Sequence, residues 1–263
     1  MFRDNVHNLR AIAIILVVLT HVISAVSSNG DVSVILLRSL SQNASVLFTI
    51  IAGYLFFELN QTFVYKRFIA KKLKNSVIPY VICSIPAILI YTLSLKTSHV
   101  WIDMEWFHSI SMIEQIGFML VSGGHLGPYW FIPVILMMYF ISPVLYRISY
   151  SRHVVIWLVV LSAIAIYVGR PSLNSNVIHS LIYFIPVFLF GQYLSQTKIH
   201  EKIARVNTFV FSLFVGVTLV ITYLSFQYSH NMDFPLKIAL LFFLFSLTYR
   251  LLNLKINILK LIE

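Results

Sequence analysis

Two ionisable residues, Arg10 and His21, interrupt the first long apolar run of this chain, residues 9–26. An arginine near the centre of a membrane helix costs about 2.5–3.5 kcal/mol on insertion scales, so such groups are functional candidates by default. Eleven positions separate the two. On a helix that is about three turns and roughly 16 Å of rise, with both side chains within about 20° of one face. The chemistry available is acid–base work beside anion binding. A neutral imidazole in apolar surroundings can take a proton from a hydroxyl as its oxygen attacks an electrophile. A guanidinium holds phosphate oxygens in a bidentate fork. Each residue also has a structural reading: a histidine hydrogen-bonded to a neighbouring helix, and an arginine that snorkels to the headgroups.

The elements that must position them belong to a membrane. Hydrophobic residues make up 59% of the chain and charged residues 11%, with mean hydropathy +0.87. Soluble domains carry about 25% charge, so the composition predicts an all-α, polytopic transmembrane helix bundle. Spanning runs are expected at 9–26, 36–57, 77–95, 128–146, 154–168, 177–195, 207–226 and 235–252, about eight in all, within one domain over 1–263. The run at 110–121 is short and carries Glu114, which fits an interfacial or re-entrant segment. Ala25-Val26-Ser27 gives the N-terminus the outline of a cleaved signal peptide, but His21 interrupts the stretch and further spans follow, so a retained span is expected. One cysteine, Cys83, excludes an internal disulfide and a cysteine metal cluster.

Charge sets the orientation. Arg3, Arg10, the basic stretch from Lys66 to Lys74, and the groups at 147–152, 198–205 and 250–260 all fall on one side of the predicted spans. That is fifteen of the nineteen basic residues. The positive-inside rule then places both termini in the cytoplasm. The net charge of +10 is a topology signal, and nucleic acid is not an expected partner. Arg10 would stand at the cytoplasmic mouth of the first span, with His21 past the midplane.

Other polar groups fall at positions with meaning. Arg38, Gln42, Ser45 and Thr49 form a four-three-four stripe, expected to face the bundle or a water-filled cavity rather than lipid. If the helix begins only near Ser45, Arg38 lies in a loop instead. The 58–76 segment, with Lys66, Arg67, Lys71, Lys72 and Lys74, reads as a basic cytoplasmic loop suited to phosphates or anionic lipids. Gly123-Gly124-His125-Leu126-Gly127-Pro128 lacks the context of a phosphate loop and marks an irregular start to the fourth span. Trp130 is an interface anchor that could also stack on a sugar. His99, His108, His153, His179, His200 and His230 show no metal spacing, and no metal site is expected.

Four of these features together resemble the acyltransferase-3 family of bacterial membrane proteins, which O-acylate surface glycans. They are Leu9-Arg10-Ala11 with His21 (Arg-x10-His), Phe48-Thr49-Ile50-Ile51-Ala52-Gly53-Tyr54-Leu55, Tyr65-Lys66-Arg67-Phe68 through Pro79-Tyr80, and Trp130-Phe131-Ile132 with Tyr139, Ser142 and Pro143. The resemblance implies a multi-pass enzyme of the bacterial inner membrane, in contact with its lipids. It implies acetyl-CoA (acyl-CoA) as a donor substrate, no permanently bound cofactor, and a surface glycan or lipid-linked saccharide as acceptor. His21 would be the base and Arg10, Lys66 and Arg67 the donor-binding groups. Arg38, Gln42, Thr49 and Trp130 would line the acceptor path. The sequence departs from the family at His7, where an acid is common, and at Thr49 and Ala52. It also ends before a late Ser-x-Gly-Ile-Tyr-Leu-x-His helix, so the C-terminal helices are expected to be missing. A transporter or flippase, and an inactive truncated remnant, are the alternatives.

Overall fold

The computed structural model describes residues 2–25, 34, 41, 44–60, 62–228 and 238–250, apart from 241, 245 and 248. All regular structure among them is helical, as composition predicts. In chain order the helices are α1 (Phe2–Ala25), α2 (Ala44–Leu59), α3 (Tyr65–Lys72), α4 (Ile78–Thr92), α5 (Met104–Ser109), α6 (Met112–Ser122), α7 (Phe131–Phe140), α8 (Ser142–Ser149), α9 (Val154–Val168), α10 (Val177–Thr197), α11 (Ile199–Ala204) and α12 (Thr208–Tyr228). Two compact units result: residues 1–59 with 186–263, and residues 60–185.

In the first unit α1 is unbroken because residues 2–25 contain neither proline nor glycine. It packs on α2, and its covered side includes Val6, Leu9 and Ala13, the helical spacing of a buried stripe. α2 crosses the C-terminal part of α10 at two glycines. A Cβ on Gly53 would collide with the Phe188 carbonyl oxygen, and one on Gly191 with the Ile50 carbonyl oxygen. Small residues of this kind let membrane helices approach backbone to backbone. Phe56 and Phe188 then pack with ring centroids 5.8 Å apart. Ser195 donates to the Glu58 carboxylate at 2.9 Å.

The second unit contains two departures from the expected spans. Residues 65–77 are helical, where a loop was expected, because they are free of proline and glycine. α3 runs into α4 through a π-helical turn, Leu73–Val77, where Ile78 N–H donates to the Leu73 carbonyl. Pro79 follows at once; its ring would clash with the carbonyl four residues back, and the widened turn accommodates it. The 128–146 run is not one straight rod either: α7 and α8 meet at a 65° bend. Pro143 has no N–H for the Tyr139 carbonyl, and Ser142 Oγ donates to that oxygen at 2.6 Å instead. The Tyr65 hydroxyl donates to the neighbouring Phe140 carbonyl at 3.1 Å. The motif Tyr-x-x-Ser-Pro thus encodes a bend whose freed carbonyl is satisfied.

Among the described residues, three helical stretches are long and apolar enough to cross a bilayer: Val6–Ile23, Tyr65–Thr92 and Val177–Thr197. The bent α7–α8 pair makes a fourth, and shorter apolar helices include α2, α6 and α9.

Candidate active site

α1 carries Arg10 and His21 on one uninterrupted helix, so the offset of about 20° applies to both. Both side chains are exposed, as are Ile14 at 47% and Val18 at 57% between them. This face is therefore the one α1 does not spend on packing. A groove of about 520 Å³ follows it, with His7 and Arg10 at one end and Ile14, Val18 and Val22 along its length. His21 is outside the described lining, one residue before Val22 at the groove's far end. The arrangement gives a polar mouth, an apolar channel and an imidazole beside its other end.

The remaining predicted residues fall elsewhere. Thr49 lies in α2, in the same unit, fully buried, with its hydroxyl donating to the Ser45 carbonyl at 2.8 Å. Arg38 and Gln42 lie outside the described residues. Lys66 and Arg67 belong to the second unit, exposed on the first turn of α3. With Lys71 they occupy one arc of about 140° at 100° per residue. Lys72 points the other way, its Nζ 4.4 Å from the Tyr139 ring centroid and 5.5 Å from that of Phe68. The basic stretch thus divides into an exposed cationic arc and one lysine held on aromatic faces. Trp130 is half-buried just before α7. The Arg170 guanidinium sits 5.2 Å from the Trp130 ring, and Phe184 packs 5.8 Å from it.

Sequence reasoning missed a polar cluster around His125. Gly123 caps α6 in the left-handed conformation (φ 67°), and the chain turns so that His125 is 3% exposed. Its Nδ1 lies 3.0 Å from the Met119 carbonyl and its Nε2 2.7 Å from Ser84 Oγ. A carbonyl only accepts, so Nδ1 carries a proton; the one proton of the Ser84 hydroxyl goes to the Tyr80 carbonyl, which leaves the Ser84 oxygen against Nε2. Ser84 Oγ also lies 2.7 Å from the Tyr80 carbonyl, and the Tyr80 hydroxyl donates to the Leu120 carbonyl at 2.8 Å. Burial pushes the His125 pKa below its ordinary value, with the Met119 carbonyl opposing the shift. His99 closes the loop region: its Nδ1 accepts from the N–H groups of Trp101 and Ile102, and its Nε2 donates to the Gly124 carbonyl at 2.9 Å. The signal was the Gly-Gly-His turn, but Ser84 is 41 positions away and nothing local points to it.

No group of three or more histidine, cysteine or acidic side chains able to hold a metal occurs among the described residues. Fold and site together define an all-helical membrane protein whose first helix presents an arginine and a histidine on one open face. The profile of the acyltransferase domain, acyltransferase-3, matches residues 3–262, and the chain belongs to that family. No curated protein and no solved structure matches it.

Proposed function

We propose that this acyltransferase is an O-acetyltransferase of the bacterial inner membrane, with about eight spans in a single domain and both termini cytoplasmic. It takes the acyl group from cytoplasmic acyl-CoA and delivers it to an extracytoplasmic or lipid-linked glycan. The observation that supports this best is the open face of α1, where Arg10, an apolar groove and His21 follow one another along a single helix. Arg10 binds donor phosphates at the mouth. The exposed arc of Lys66 and Arg67, on the same side by the charge census, raises the local concentration of the anionic donor. His21 takes the proton of a sugar hydroxyl while its oxygen forms a bond to the thioester carbon. The carbon–sulfur bond breaks as the tetrahedral intermediate collapses, and the proton passes to the leaving thiolate. Trp130, with Arg170 on its face, and the stripe of Arg38, Gln42 and Thr49 are the groups assigned to the acceptor path. The family match favours this reading over a transporter.

The test is His21→Ala, with glycan acylation followed by mass spectrometry. An exposed residue can be truncated without a packing defect, so protein level and membrane insertion stay normal while acylation falls by about 10²–10⁴-fold. Near-normal acylation in that variant rejects the base assignment.

A further inference from the structure

We propose that His7 is a second phosphate ligand for the donor, forming with Arg10 a clamp for the acyl-CoA diphosphate at the mouth of the α1 groove. The inference rests on the acyl-CoA reading above and adds a residue to it. Among the described residues, His7 and Arg10 are the only polar groups lining this groove, and they share one end of it. Both are exposed. Three positions apart on α1, their Cβ atoms lie about 5–6 Å from each other on adjoining turns. That separation lets two neighbouring phosphates be held at once, the guanidinium forking onto one and an imidazole N–H donating to the next. The imidazole keeps at least one N–H in either protonation state, so the contact does not require a charged ring.

The order of the described lining along α1 favours the donor as occupant. Between Arg10 and Val22 the described lining, all of it on α1, is apolar, with Ile14, Ile15 and Val18 along it, over about 18 Å of helix rise. An anionic head on a long, thin and weakly polar arm that ends in an acyl group complements a polar mouth followed by such a channel. A carboxylate at position 7 would repel that head; a histidine attracts it.

The experiment measures CoA affinity of the full chain in nanodiscs of zwitterionic lipid, for wild type, His7→Ala, His7→Arg, Arg10→Ala and Arg10→Lys. Loss of a hydrogen bond to a charged group is expected to weaken CoA binding roughly tenfold in His7→Ala. His7→Arg should restore it, and the unfolding temperature without CoA should not move. A change under twofold in His7→Ala beside a large loss in Arg10→Ala overturns the His7 assignment alone. A lowered unfolding temperature with no rescue by His7→Arg marks a structural role and overturns it too. If His7→Ala leaves CoA binding intact but reduces anionic phospholipid retained through purification, the occupant is a lipid and the proposal fails. Absence of CoA binding by the wild type overturns the acyl-CoA reading itself.

Discussion

Gly53→Ala adds one methyl group where α2 meets α10, and the structure sets what it meets. The new Cβ would collide with the Phe188 carbonyl oxygen, and the Phe188 carbonyl carbon and Cα lie 2.9 and 3.2 Å away. All three are backbone atoms, so no rotamer change relieves the clash and the two helices must separate. Overpacking of this kind costs about 1–3 kcal/mol. The helix-propensity gain of alanine over glycine returns about 1 kcal/mol, leaving a net loss of up to about 2 kcal/mol. Gly216 in α12 supplies the control, because nothing lies within 4 Å of a Cβ placed there. Gly216→Ala should be neutral or more stable by up to about 1 kcal/mol. Gly191→Ala probes the same crossing from the other side, with the Tyr54 nitrogen 2.9 Å from its Cβ in addition to the Ile50 carbonyl. The Gly53/Gly191 double variant should lose less than the sum of the singles, since the separation forced by one methyl makes room for the other. The assay is unfolding in detergent, by heat or denaturant, read by near-ultraviolet circular dichroism. Equal stability of Gly53→Ala and Gly216→Ala would refute the close-approach argument.

Arg10→Lys keeps the positive charge, and with it the topology signal, but replaces a fork with a single ammonium. Insertion should be unchanged while the KM for acyl-CoA rises, and an unaltered KM would remove phosphate binding from Arg10. Lys71 is exposed, so Lys71→Cys in a Cys83→Ala background reports sidedness. Labelling from outside intact cells by an impermeant thiol reagent would reverse the orientation proposed here. The His125 pKa is lowered in the folded state, so the unfolded chain binds the proton first and stability rises with pH across that window. The loop at 122–130 should therefore loosen as pH falls below the ordinary histidine value of about 6.5, as faster amide exchange at Gly124 and Tyr129. His125→Gln should flatten this dependence. An identical pH profile in that variant would assign the effect to another group. Ser111→Ala removes the hydroxyl that, with the Ser111 N–H, holds the Glu114 carboxyl below its usual range. The α6 N-terminus, whose capping box should hold while Glu114 is ionised, should then fray at neutral pH, read as faster amide exchange in its first turn.

Legibility in the sequence followed the range of the interaction concerned. The placement of Arg10 and His21 along one helix needs only 3.6 residues per turn and a segment without breakers, and α1 supplies both. Gly53 could be read as a motif element, but its partner could not. Its smallness matters because Phe188, 135 positions later, brings its backbone against it, and no local pattern encodes that distance. Hydropathy misleads in two ways. The lysines and arginines of residues 65–77 make a helix without breakers read as a loop, and averaging over Pro143 as though it were neutral makes a 65° bend read as a straight span. The second error disappears once the missing N–H of Pro143 is followed to the carbonyl it frees, which the Ser142 hydroxyl satisfies.

His125 exposes the harder limit. Its polar ring in an apolar chain invites a functional assignment on the reasoning applied to His21, yet its nitrogens face a carbonyl and a hydroxyl inside the second unit. His21 has the opposite surroundings, an open face beside an apolar groove. Residue type and hydropathy are nearly the same for the two; what separates them is whether the ring's hydrogen-bonding capacity is already used within the protein. An imidazole whose two nitrogens are occupied stabilises a turn, whereas one left exposed on the helix that also presents Arg10 is available to a substrate. On that ground His21 rather than His125 is the residue proposed as the base, and truncation of His125 should change stability and its pH dependence before it changes the chemical step.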